Sequence, residues 1–186
     1  DIWHNNSHWI PKPMCKNGDP CHEAAPRGSR TGTQGLKGNY ERSKVPEELC
    51  NDILTIAIEF ARTIDMIDKL ELDNIWANIN GYKDYNLPHK HPNCLLSGVY
   101  YVKVPKNSGE INFVNPASGT MQYDWNKYTI KEYNNHNSAN YTFRAKVGTL
   151  YMFPGWLYHF VKQNLNKTEE RISFSFNIKV QSGALK

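Results

Sequence analysis

No stretch of the sequence approaches the roughly 18 consecutive apolar residues that a membrane-crossing helix needs, so a soluble protein with no membrane partner is expected. Nor does the N-terminus, Asp1-Ile2-Trp3-His4, show a basic segment followed by an apolar one, and no secretory signal is expected. Cysteines are few. Four, at positions 15, 21, 50 and 94, are too sparse in 186 residues for a disulfide framework, and a reducing, cytoplasmic setting follows as the expectation. Cys15 and Cys21 are near enough to pair, and Cys21-His22 offers zinc ligands, but the gap matches no common zinc spacing. A dominant charge of one sign is also missing: 22 Lys+Arg against 18 Asp+Glu give a net charge of +4. Without a dense basic cluster, no nucleic-acid partner is expected, whereas an anionic small ligand is compatible. Nothing in the sequence speaks to oligomeric state.

What is present divides into three parts. Residues 1–44 are rich in Gly, Pro and polar residues, and Arg27 to Gly38 carries glycines spaced too closely for helix or strand to persist. This segment reads as a flexible arm or, functionally, as a substrate-covering segment. Residues 45–69 read as a helix. Pro46 suits its first turn, Glu47 and Glu48 complement the dipole, and Leu49, Ile53, Ile56, Phe60, Ile64 and Ile67 form one apolar stripe that buttresses a sheet. From Asp73 the pattern changes to short strands and turns, with strands expected near 75–80, 95–104, 110–114, 141–145, 149–153, 159–163 and 171–180. About eight strands with no helix between them predict a mainly β sandwich or barrel, so residues 45–186, helix included, form the main domain.

The chemistry lies on those strands. His89-Lys90-His91 stands at the entry to the 95–104 strand, and residues two apart in an extended segment face the same way. His159 opens a later strand, after Phe153-Pro154-Gly155-Trp156. Two histidines from one segment and one from a distant strand can make a facial site with open positions, suited to Fe(II) oxygen chemistry or catalytic zinc, although His-X-His also arises by chance. Arg171-Ile172-Ser173-Phe174-Ser175-Phe176 alternates a polar with an apolar face. An inward guanidinium beside a hydroxyl suits a carboxylate ligand. Phe153 and Trp156 are candidate pocket walls or core.

The runs Leu87 to Val102, Gly148 to His159 and Arg171 to Asn177, in this order, resemble the Fe(II)/2-oxoglutarate-dependent oxygenase superfamily, and within it a family of such oxygenases found in marine bacteria and phages. The resemblance covers about residues 73–180 and implies a double-stranded β-helix, or jelly roll, with Fe(II), 2-oxoglutarate and O2 as cofactor and cosubstrates. If the chain is phage-encoded, its cytoplasm is the host's. Carried over, His89 resembles the first metal ligand and His159 the distal one. Arg171 resembles the arginine that binds the far carboxylate of 2-oxoglutarate, with Ser173 as helper. Tyr101 resembles a tyrosine that touches the same carboxylate in the prolyl hydroxylase branch; Tyr100 faces the other way.

One departure stands out. Where the superfamily usually has His-X-Asp or His-X-Glu, this chain has His91. Either His89, His91 and His159 all ligate, which is the reading adopted, or two of them do and water completes the shell. A variant of the second makes His91 the first ligand with Asn93 at the acid position. The resemblance implies oxidative decarboxylation of 2-oxoglutarate coupled to hydroxylation of an unactivated C–H, with a peptide or amino-acid-like substrate by analogy. Superfamily halogenases keep the acid position small, and a ligating His91 would fill it. Two other classes remain: a cupin-type three-histidine metalloenzyme, which has no need of Arg171-X-Ser173, and a jelly-roll binding module whose histidines are incidental.

Overall fold

Glu47–Thr63 forms the first described helix, α1, led in by Pro46, with Glu47 and Glu48 in its first turn and Arg62 in its last. The computed structural model describes residues 30–31, 45–66, 69–134 and 136–181. The helix is shorter than its sequence pattern: it ends before Ile64, Asp65 takes a φ of 55°, and a strand begins at Leu70. Its buried face is also rotated from the expected one, to Cys50, Ile53, Ala57 and Ala61, while Ile56 and Ile64 are exposed. Small residues on the contact line let the helix axis approach the sheet, and Leu49, Leu54, Ile58 and Phe60 pack along its flanks. The three- and four-residue spacing thus found Ile53, Leu49 and Phe60, which meet the core, but passed over the small residues at the centre of the contact.

The strands are β1 (Arg30–Thr31), β2 (Leu70–Asn80), β3 (Asn86–His89), β4 (Leu96–Lys103), β5 (Ile111–Val114), β6 (Asn140–Phe143), β7 (Leu150–Pro154), β8 (His159–Val161) and β9 (Arg171–Val180). They form two antiparallel sheets, in the orders β1-β2-β9-β4-β7 and β3-β8-β5-β6. From β2 to β9 the chain passes back and forth between the two sheets, except that β5 and β6 follow one another in the smaller sheet, and the result is the double-stranded β-helix that the resemblance implies. Of the arm 1–44, only Arg30–Thr31 is described, as a short strand along β2 where a strandless loop was expected. The rest of the arm, with Cys15, Cys21 and His22, lies outside the described residues, as does Ile67. A second departure is the helix α2 (Ser118–Trp125) between β5 and β6, which has no buried residue. With no apolar stripe, it gave no periodic signal. Among the described residues no helix is long and apolar enough to cross a membrane.

Register sorts the five-stranded sheet into two faces. Leu70, Leu72, Ile75, Leu96, Met152, Phe176 and Ile178 point outward against α1 and make the main core with Val45, Cys50, Ile53, Ala57 and Ala61. A bulge between Leu72 and Asn74 shifts the phase of β2, which is why a period-two reading starting at Asp73 missed Leu70 and Leu72. Gly98 sits in this layer opposite Phe176 and Met152. A Cβ there would overlap the Phe176 ring and lie 2.5 Å from the Tyr151 carbonyl oxygen. Gly98→Ala is therefore expected to destabilise the fold by about 1–3 kcal/mol, read as a lower urea midpoint with an unchanged m value.

The inner face is different. Trp76, Asn78 and Asn80 of β2, Arg171, Ser173 and Ser175 of β9, and Ser97 and Tyr101 of β4 are all buried there. So many buried polar groups on one sheet face is costly unless they are paired or serve a ligand. Some are paired: Trp76 Nε1 donates to Asn78 Oδ1 (3.2 Å), and Asn78 Nδ2 to Ser175 Oγ (2.7 Å). The second sheet faces them with His89, Phe113, His159 and Val161.

Candidate functional site

The histidine cluster is assembled by the smaller sheet. His89 closes β3 and pairs in register with His159, the first residue of β8, which in turn pairs with Phe113 of β5. His89-Lys90-His91 is thus not the entry to β4 but the end of a strand in the other sheet, and a turn at Pro92-Asn93 intervenes. Asn93 is exposed with φ 65°. His91 is held from outside the strand, its backbone N–H donating to the Gly155 carbonyl in the loop before β8 (2.8 Å). The ring centroids lie 4.3 Å apart for His89 and His159, 5.2 Å for His89 and His91, and 5.3 Å for His91 and His159. One ligand nitrogen from each lies within 4.8 Å of the others.

Local sequence sets the ring orientations. In both Leu87-Pro88-His89 and Leu157-Tyr158-His159 the Nδ1 lies against the carbonyl oxygen two residues back, at 2.7 and 2.8 Å. A carbonyl only accepts, so Nδ1 carries the proton and Nε2 keeps its lone pair. His159 is fully buried and its Nε2 has no hydrogen-bond partner. Burial lowers the pKa of all three rings. For His159 the nearby His89 and His91 add to that, while His91 is brought down to about 3 by burial and then by His89. Neutral imidazoles with converging lone pairs are the state that binds a divalent transition metal.

A stability consequence follows for the metal-free protein. An unfolded histidine takes a proton near pH 6.5, whereas the folded rings resist it. Stability is therefore whole above about pH 6.5 and falls as pH drops through that value towards the folded pKa of about 3 for His91. Between pH 7 and 5 the expected loss from His91 is about 2 kcal/mol, measurable from urea midpoints. Saturating metal should raise stability across this range without changing the loss, because the folded His91 ring is already unprotonated there.

Aromatic rings enclose the cluster. Phe153 packs on His159 at 4.7 Å between centroids and Phe113 at 6.0 Å, both buried, while Trp76 stacks near His91 at 6.3 Å. Phe153 is therefore both core and wall. Trp156 is 59% exposed and is not a buried wall. It points outward at the turn that precedes Leu157.

Arg171 is fully buried on the inner face of the other sheet. Its Nη1 donates to the carbonyls of Ser108 (2.8 Å) and Gly109 (3.2 Å), and its Nη2 to Asn80 Oδ1 (2.8 Å). Gly109 has φ 84°, a conformation that favours glycine, and its Cβ would strike the chain at Lys162 and Gln163. Burial lowers the Arg171 pKa, and the Tyr101 and Asp84 side chains oppose that shift. Ser173, next along this face, stands in register with Tyr101 on one side and Asn78 on the other. Tyr101 is fully buried. The six residues singled out in the sequence thus all lie in the interior between the two sheets: Arg171, Ser173 and Tyr101 on the larger, His89 and His159 on the smaller, and His91 just past the end of β3. The expected free guanidinium fork is modified, since backbone carbonyls hold one end of it. Sequence reading missed Asn80, Trp76, Asp84 and the Ser108-Gly109 anchor; the alternation Trp76-Ala77-Asn78-Ile79-Asn80 was visible, but its polar half was left without a role.

The donor set fits Fe(II): three neutral nitrogens, one from a fully buried ring with an unfilled Nε2, and no carboxylate among the described residues in the cluster. A cleft of about 1040 Å³ is not lined by the histidines but includes Ser108 and Gly109, the anchors of Arg171.

Residues 74–177, more than half of the chain, match the family described as "Putative 2OG-Fe(II) oxygenase". Comparison with curated proteins gives no match. Similar solved structures include a 2OG-Fe(II) oxygenase family oxidoreductase from Burkholderia pseudomallei, at 14% identity and a TM-score of 0.50, covering 67% of this chain and 52% of that one. The carbocyclase SnoK of nogalamycin biosynthesis is similar at 15% identity and a TM-score of 0.52, with 77% and 66% covered. A prolyl-4-hydroxylase from Pseudomonas putida gives 9% and 0.52, with 83% and 72% covered. The chain spans about half the length of the first of these, and at such identities the likeness concerns the fold. The family match is direct: this chain belongs to the 2OG-Fe(II) oxygenase family.

Proposed function

We propose that the protein is an Fe(II)- and 2-oxoglutarate-dependent dioxygenase that hydroxylates an unactivated C–H. The observation that carries this reading is the convergence of three neutral imidazoles in an aromatic enclosure, with a fully buried arginine on the facing sheet. His89, His91 and His159 would hold the metal, and Arg171, Ser173 and Tyr101 the far carboxylate of 2-oxoglutarate. When bound, the metal and cosubstrate supply the oxidising power, with 2-oxoglutarate and O2 yielding succinate, CO2 and a hydroxylated product.

The chain's own residues do the rest. The Leu87 and Leu157 carbonyls fix which ring nitrogens are presented, Trp76 and Phe153 hold the rings in place, and Phe113 and Phe153 exclude water from the centre. The guanidinium supplies charge in a buried interior, where it is worth far more than in solvent. His91 fills the position that a halogenase leaves small, which supports hydroxylation. A peptide or amino-acid-like substrate is the working choice, in keeping with the prolyl-4-hydroxylase among the similar folds.

The test is succinate formation from 2-oxoglutarate with Fe(II) and O2, run over a set of proline-containing peptides and free amino acids. The reading expects one substrate class to gain a single oxygen atom in step with succinate. Stoichiometric metal binding without any succinate would favour the second reading, a cupin-type three-histidine enzyme, which is supported by the absence of a carboxylate from the cluster among the described residues.

A further inference from the structure

Two buried donors on the inner face have no acceptor: Arg171 Nε and Asn80 Nδ2. Both residues are fully buried, and they are cross-strand partners in register between β2 and β9. Asn80 directs its Oδ1 to Arg171 Nη2 at 2.8 Å, which commits the amide's acceptor to the guanidinium and leaves its Nδ2 as an open donor. The Ser108 and Gly109 carbonyls occupy Nη1. What remains are two open N–H donors on adjacent residues, one on a cation and one on a neutral amide. Buried donors of this kind are seldom left unfilled, and an acceptor-only group satisfies both at once.

We infer that Asn80 is the second recognition residue for the far carboxylate of 2-oxoglutarate, its Nδ2 acting beside Arg171 Nε as a mixed amide–guanidinium pair. The inference rests on the reading above that Arg171 binds this carboxylate, and it adds a residue to which that reading gave no role. Asn80 has two duties. Its Oδ1 orients the guanidinium, and its Nδ2 contributes the discriminating contact. A carboxylate at position 80 would keep the first, pairing with Arg171, and reverse the second, placing a negative charge where the ligand's carboxylate has to sit. Ser173 and Tyr101, one step along the same face, are left to close the other side of the ligand.

The test compares wild type, Asn80→Asp, Asn80→Ser and Arg171→Ala, each loaded anaerobically with Fe(II), for binding of 2-oxoglutarate and of 2-oxopentanoate. The second acid has the same chain length with a methyl in place of the far carboxylate. Calorimetry reads the affinities, and thermal melts without ligand read the fold. Asn80→Asp is expected to weaken 2-oxoglutarate by about 10- to 100-fold while 2-oxopentanoate stays within about threefold, with Fe(II) affinity and melting temperature at or above the wild-type values. Asn80→Ser should show the same selective loss, smaller in size, and serves if the aspartate variant does not fold. A variant that binds 2-oxoglutarate as wild type does, while Arg171→Ala loses it, overturns the inference and leaves the role of Arg171 standing. Equal weakening of both acids also overturns it, because that is the mark of a structural role. If wild type and Arg171→Ala bind 2-oxoglutarate alike, the parent reading falls and the inference with it.

Discussion

His159→Ala is expected to lower Fe(II) affinity by at least about 100-fold, or about 2.7 kcal/mol, measured by anaerobic titration with the free metal concentration buffered. His159 is the ring most committed to the site. It is fully buried, its Nδ1 is spent on the Leu157 carbonyl, its Nε2 is unfilled, and Phe153 and Phe113 fix its plane. No neighbouring residue in the described cluster can replace it, since that cluster holds only the three histidines. His91→Ala distinguishes the two ligand sets left open by the sequence. If all three rings ligate, this variant loses at least about tenfold in affinity; if water completes a two-histidine site, affinity stays within about threefold. The third set, with Asn93 as a ligand, sits poorly with an exposed Asn93 in a left-handed turn.

The second large effect is at Arg171. Arg171→Ala should weaken 2-oxoglutarate by at least about 100-fold, since a charge-assisted contact in a buried site is lost outright. It should also cost stability on the order of 3 kcal/mol, because the Ser108 and Gly109 carbonyls and Asn80 Oδ1 lose their donor together. Arg171→Lys restores a charge but cannot serve three acceptors, so it should recover only part of either loss. Calorimetry with 2-oxoglutarate and a urea melt without it separate the two effects. Unchanged 2-oxoglutarate affinity in a folded Arg171→Ala protein would remove the residue from the site.

Strand β9 was legible in the sequence to the residue, because Arg171, Ser173 and Ser175 alternate strictly with Ile172, Phe174 and Phe176 and no bulge interrupts them. Strand β2 was only half legible, because a bulge at its start moves the apolar set from even to odd positions. The histidines were found, but their placement was misjudged. Four residues, Asn86–His89, are too few to show a period, and the strand forms because β8 is there to pair with it. Helix α2 was invisible for the reason that makes it unusual: it buries nothing. Asn80 and the Ser108-Gly109 anchor depend on register across strands 91 and 63 positions apart in the chain, and local pattern carries no such information.

The most direct test of the account is an anaerobic titration of the metal-free protein with Fe(II), with and without 2-oxoglutarate, followed in visible light. The account expects a weak charge-transfer band that needs both components and disappears in Arg171→Ala and in His159→Ala. Iron that binds without producing the band, or a protein that takes up no iron at all, would contradict it.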